Sequence, residues 1–139
     1  MRTFYIFKIK KHFAILTRNN PYSLFKTIEE IYKLKESELK KTRNIFKYIQ
    51  DTIDTDNINI QIYNHYKNKY TYTKFKDIHT INNYYTKEKS RLTINKTYML
   101  LRTNEQIPSF LKTLTNTKQD MFACDFENKD FFWLEDLVY

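Results

Sequence analysis

Three histidines, one cysteine and a close pair of acids are the residues through which this chain could do chemistry. His12, His65 and His79 are scattered, and none has a Cys or His partner at metal-ligand spacing. Surface or packing roles are therefore expected, with no metal and no cofactor. Asp125 and Glu127 stand two apart in "FACDFEN", where a strand would put both on one face as a carboxylate pair. Acids ending a strand are also commonplace, so the spacing alone does not define a catalytic pair. Cys124 falls inside the same strand and reads as a small hydrophobe, because a catalytic thiol needs a neighbouring base. The chain has no glycine at all, which removes the loops that cradle phosphates and dinucleotides. Positive-φ turns must then fall to Asn or Asp. The residues point away from an enzyme.

Binding is the better-supported chemistry. The net charge is +8, unevenly spread: residues 1–50 carry 12 Lys/Arg against 4 Asp/Glu, and residues 104–139 carry 3 against 7. Such a basic first half suits nucleic acid, an acidic protein partner, or plain solubility. Lys8, Lys10, Lys11 and Arg18 interleave with Tyr5, Phe7 and Phe13. "HYKNKYTYTKFK" (65–76) alternates Lys with Tyr66, Tyr70 and Tyr72. Basic residues between rings are what a nucleic-acid surface requires, but no recognised DNA- or RNA-binding motif accompanies them. In "IKKHFAILTRN", Ile9 and Ile15 read as inward, which turns Phe13 outward among Lys10, Lys11, His12 and Arg18. A ringed aromatic of this kind has the form of a protein–protein anchor. The same spacing lets Phe13 pack beneath the next helix.

These residues need elements to hold them. With 139 residues, 41% hydrophobic and 17% aromatic, the chain is long and apolar enough for one domain spanning 1–139. No apolar run reaches transmembrane length, no signal peptide is evident, and a single cysteine suits a reducing cytoplasm. "RTFYIFKIK" alternates as a central strand, with Phe4 and Ile6 on one face and Tyr5, Phe7 and Ile9 on the other. A short helix follows in "KHFAILTRNN". Asn20-Pro21 opens a second helix, which buries Leu24, Ile28, Ile31 and Tyr32 and leaves Glu29 outside. A third helix fits 36–53, with Tyr48 off its buried stripe. "NINIQIY" (57–63) reads as a strand, paired with "NKYTYTKF" across a hairpin. Residues 76–89 read as a loop or distorted strand, and "SRLTINKTYMLLRT" as one strand or two joined at Asn95-Lys96. Thr103 and Gln106 have capping-box spacing ahead of a helix with Ile107, Phe110, Leu111 and Leu114. "DMFACDF" is a strand, and "FFWL" closes an edge after a turn at 127–129. The order predicts an α/β fold, or α+β, with a mixed sheet of about four to six strands and helices packed on it.

"FYIFKIKKHFA" and "FACDFENKDFFWL" together resemble the two ends of the sporulation inhibitor of replication (SirA) family. In that family an aromatic strand runs into a helix of the form I-K-x-x-F-A. The chain closes on F-x-A-x-D-F, followed by an aromatic, Trp and Leu. The resemblance implies a non-enzymatic regulator that binds the N-terminal domain of the replication initiator DnaA and restrains chromosome initiation. It implies contacts through Phe13 on the first short helix and Tyr48 in "FKYIQ", to which the residues around Phe13 add Lys10, Lys11 and Arg18 as a charged rim. Thr17 stands where the family has a second helix aromatic, a departure that weakens the contact. On this reading Phe13→Ala abolishes binding and leaves the fold intact. Nucleic acid is the second choice of partner.

Overall fold

In the computed structural model, residues 1–33 and 47–137 are described. Strand β1 (Arg2–Lys8) leads into helices α1 (Lys11–Thr17) and α2 (Pro21–Tyr32). Helix α3 (Thr55–Tyr66) precedes a run of strands, β2 (Tyr72–Phe75), β3 (Ile78–Asn82), β4 (Lys89–Ile94) and β5 (Met99–Thr103). Helix α4 (Ser109–Thr115), β6 (Met121–Asp125), β7 (Asp130–Trp133) and a closing 3₁₀ turn (Leu134–Asp136) complete the order. The strands form one sheet in the order β2-β3-β4-β5-β1-β6-β7.

The α/β class with helices packed on a sheet is as expected, but the sheet has seven strands and is antiparallel throughout. Short turns join β2 to β5 in succession and β6 to β7, and a tight turn can only reverse the chain. Strand β1 lies centrally between β5 and β6, as its apolar content on both faces requires. Its two faces separate two cores. Phe4 and Ile6 pack with Ile58, Ile62 and Tyr66 of α3 and Phe110, Leu111 and Leu114 of α4. Phe7 and Ile9 pack with Ala14 of α1, Leu24, Phe25 and Ile28 of α2, and Phe122, Cys124 and Trp133. The closing segment is therefore structural, with Trp133 set edge-on to Phe122 at 5.0 Å.

Helix α2 starts where Asn20-Pro21 predicts, with the Asn20 side chain accepting from the Ser23 N–H at 3.2 Å. Two of its residues depart from the expected faces. Glu29 is buried, because the β6–β7 turn brings Lys129 over the helix to join Lys26 and Lys33 around its carboxylate. Tyr32 is half exposed, yet its hydroxyl meets that of Tyr5 at 2.7 Å and its ring stacks on Phe126.

The expected helix over 36–53 lies mostly outside the described residues. Its last turn is seen at 47–49, and the chain then leaves the helix so that Gln50 bridges Ile9. Ile49 and Ile53 are buried and Tyr48 is exposed, as expected. The strand expected at 57–63 is instead helix α3. Ile58 and Ile62 are four apart and so share a helical face as readily as a strand face; Tyr66 extends that stripe while Ile60 faces solvent. Asp54 caps it by accepting from the Asn57 N–H. Strand β2 therefore pairs with β3, formed by the stretch read as a loop or distorted strand. The two-strand reading of 90–103 holds.

Thr103 ends β5 and caps nothing in α4. Glu88 does so instead, accepting from the Ser109 N–H at 3.0 Å and the Ser109 hydroxyl. Pro108 sits at the N-cap, and Ile107 is exposed. Among the described residues the positive-φ positions are Lys76, Lys87, Lys118 and Lys129, not Asn or Asp. Asn side chains serve the turns differently: Asn83 accepts from the N–H groups of Tyr85 and Thr86, and Asn128 donates to Asp125. In the β6–β7 turn this bond ties Asn128 beside the left-handed position, which falls to the exposed Lys129.

Candidate partner-binding surface

Helix α1 is short and begins without a side-chain cap. Lys10 is its N-cap, and its carbonyl accepts from the N–H groups of Phe13 and Ala14 at 2.9 and 2.8 Å. The Lys10 N–H donates to the carbonyl of Ile49, and the Asp51 N–H to that of Lys8. These bonds lay residues 49–51 along the exit of β1 and put Tyr48, 70% exposed, at the start of α1.

Of the seven residues of α1, only Ala14 is buried. Ile15 and Leu16 are 66% and 76% exposed, two large aliphatics turned to solvent. This corrects the inward reading of Ile15. Phe13 is half-buried, its ring against the α2-side core and edge-on to His12 at 6.4 Å. It is thus a packing residue with one exposed edge rather than a free anchor. Thr17 is partly buried and turns its hydroxyl back to donate to the Phe13 carbonyl at 2.8 Å. Lys11 and His12 are exposed and Lys10 partly so.

Arg18 is not a rim charge. Its guanidinium bonds Asp120 at 2.8 Å, pairs with Glu135, and lies 4.4 Å above the Trp133 ring. It ties α1 to the acidic closing segment, which is why the charge asymmetry of the two ends is partly internal. Helix α1 and its neighbourhood therefore gather Lys10, Lys11, Phe13, Thr17 and Tyr48, while Arg18 is spent on the fold. Ile15 and Leu16 were missed by the sequence reading, although the missing heptad-like continuation in a seven-residue helix is a signal that it cannot bury two faces.

The other candidate chemistries resolve as packing. Cys124 is fully buried, and burial pushes its thiol well above the usual range, away from nucleophilic thiolate. Asp125 points to the opposite face from Cys124 and Glu127 lies in an exposed turn, so they form no carboxylate pair. Burial by itself would raise the Asp125 carboxyl; hydrogen bonds from Asn128 and Arg2 instead hold it below the usual range. His79 is fully buried between Tyr72 and Asn59. Among the described residues no group of three or more His, Cys, Asp or Glu is placed to hold a metal ion. Tyr66 and Tyr72 are buried and stack on each other at 5.3 Å, so of the three tyrosines in the Lys/Tyr run at 65–76 only Tyr70 is exposed. No described helix is long and apolar enough to cross a membrane.

Fold and surface together define a small α/β protein that displays aliphatic side chains on a short edge helix rather than enclosing them. The chain belongs to the SirA family: the family model for the sporulation inhibitor of replication protein SirA matches residues 2–137, nearly the whole length. The family is one of replication regulators and is not a known enzyme class. A comparison with curated proteins gave no match.

Proposed function

We propose that this protein restrains the initiation of chromosome replication by binding the N-terminal domain of DnaA through α1 and Tyr48. Family membership supplies the process, and the exposure of Ile15 and Leu16 on α1, and of Tyr48 next to the residue whose carbonyl receives the Lys10 N–H, is the observation that carries the surface. Burying two exposed aliphatics and a tyrosine removes apolar area from water, the usual source of affinity at the centre of an interface. Lys10 and Lys11 supply the basic rim and favour encounter with an acidic partner. Phe13 contributes its exposed edge and, through its packing, the position of the helix. Inhibition is steric, since a face of DnaA covered by this chain is closed to DnaA's other partners.

Titration calorimetry against the isolated N-terminal domain of the host's DnaA tests this. One-to-one saturable binding is expected. Losing a central interface side chain costs on the order of 2 kcal/mol, so Leu16→Ala and Tyr48→Ala should each weaken it by roughly 30-fold. Unchanged affinity in both folded variants, or flat heats with the folded parent protein, would refute the assignment.

A further inference from the structure

The two faces of the sheet are not covered alike. Helices α1 and α2 pack over β1, β6 and β7, and no described element covers the same face of β2–β5. Strand register orders what this open face presents. One row runs Thr80–Arg91–Arg102–Thr3 across β3, β4, β5 and β1. The next row, about 7 Å further along the strands, runs Phe75–Ile78–Thr93–Leu100–Tyr5. The first row is basic and the second apolar and aromatic. Lys89 adds a third cation, and the strand positions of β1–β5 on this face contain no Asp or Glu.

Two features are costly unless something binds here. Arg91 and Arg102 are direct cross-strand partners, and like charges directly opposite destabilise a sheet. Both are exposed, and neither has an ion pair among the described residues. They line a cleft of about 400 Å³ together with Thr80, Asn82, Lys89 and Met1. Beside it Phe75 keeps its ring 69% exposed, on the same face and one row over.

We infer that this open face binds single-stranded nucleic acid, with the phosphodiester track on the Arg91–Arg102 row and unpaired bases over the Phe75–Leu100 row. A phosphate between the two guanidiniums removes their repulsion and takes bidentate hydrogen bonds from each. Adjacent basic and aromatic rows on a flat sheet match the combination that single strands need, whereas a duplex keeps its base faces stacked inside. The surface is separate from α1, so it stands or falls independently of the DnaA proposal.

The test is fluorescence anisotropy with a labelled oligothymidylate of about twenty nucleotides, over a range of salt. Three cations on phosphates predict a slope of log affinity on log salt of roughly −2. The double variant Arg91→Gln/Arg102→Gln should weaken binding at least tenfold and flatten the slope to roughly −0.7. Its melting temperature should stay equal or rise, since the like-charge pair is gone. Phe75→Ala should weaken binding about fivefold or more through lost stacking. Lys67→Gln/Lys69→Gln removes the same charge from elsewhere and should change little. Equal losses in the two double variants would reduce the effect to net charge and overturn the site. So would absence of salt-dependent binding, or equal competition by polyglutamate, which would make the face an acidic-protein surface.

Discussion

Acidification should destabilise this protein through His79, and the burial of the neutral ring sets the sign. His79 on β3 is fully buried against α3, where Nε2 lies 2.7 Å from Asn59 Oδ1 and Nδ1 lies 2.6 Å from the Tyr72 hydroxyl. Asp77 accepts from Asn59 Nδ2 at 2.7 Å, which turns Oδ1 toward the imidazole. Nε2 must therefore carry the proton and Nδ1 must accept from Tyr72, so the neutral ring is fully satisfied. Burial, reinforced by nearby Lys74 and only partly countered by Asp77, lowers the His79 pKa from 6.5 to about 4. The folded state thus holds this proton more weakly than the unfolded chain. The stability linked to neutral His79 is complete above about pH 6.5 and is lost as pH falls toward about 4. A shift of this size corresponds to about 3 kcal/mol. Urea unfolding at several pH values between 7.5 and 4 measures it, compared with His79→Gln. The carboxylates of Asp125 and Glu29, held below their usual range, also lose stability as pH falls, but they do so equally in both proteins. The parent should lose about 3 kcal/mol more than the variant across this range. Parallel pH profiles would refute the reasoning, whatever the variant's stability at neutral pH.

The half-burial of Phe13 predicts that Phe13→Ala costs about 2 kcal/mol and lowers the melting temperature by several degrees, while Leu16→Ala stays within about 0.5 kcal/mol. Circular dichroism melts decide this, and a Phe13→Ala protein that melts like the parent would restore Phe13 as a free anchor. Ile58→Ala on α3 should cost about 2–5 kcal/mol and Ile60→Ala almost nothing, a contrast that a half-buried strand would not give. Arg2→Ala leaves the buried Asp125 carboxylate with Asn128 alone and should cost about 2–4 kcal/mol in urea unfolding, with Asp125→Asn/Arg2→Met recovering much of it.

What the sequence determined by itself lies where local pattern and burial agree. Strands β1 and β6 are apolar on both faces at a spacing of two, so both their existence and their faces were legible, down to Phe4 and Ile6 on one core and Phe7 and Cys124 on the other. Asn20-Pro21 marked the start of α2 because capping is a local hydrogen bond. The ends of the chain carried enough spacing to suggest the family. Tertiary structure decided the rest. Ile58 and Ile62 satisfy both a strand and a helix, and only the slot between β4 and α4 selects the helix. Glu29 looked solvent-facing until Lys129, a hundred residues away, reached it. Arg18 looked free until Asp120, Glu135 and Trp133 closed on it. Which side chains of α1 remain for a partner depends on the depth at which the helix docks, since seven residues cannot bury more than one face. That depth is set by contacts from β1, α2 and residues 49–51, which no local pattern in "KHFAILT" records.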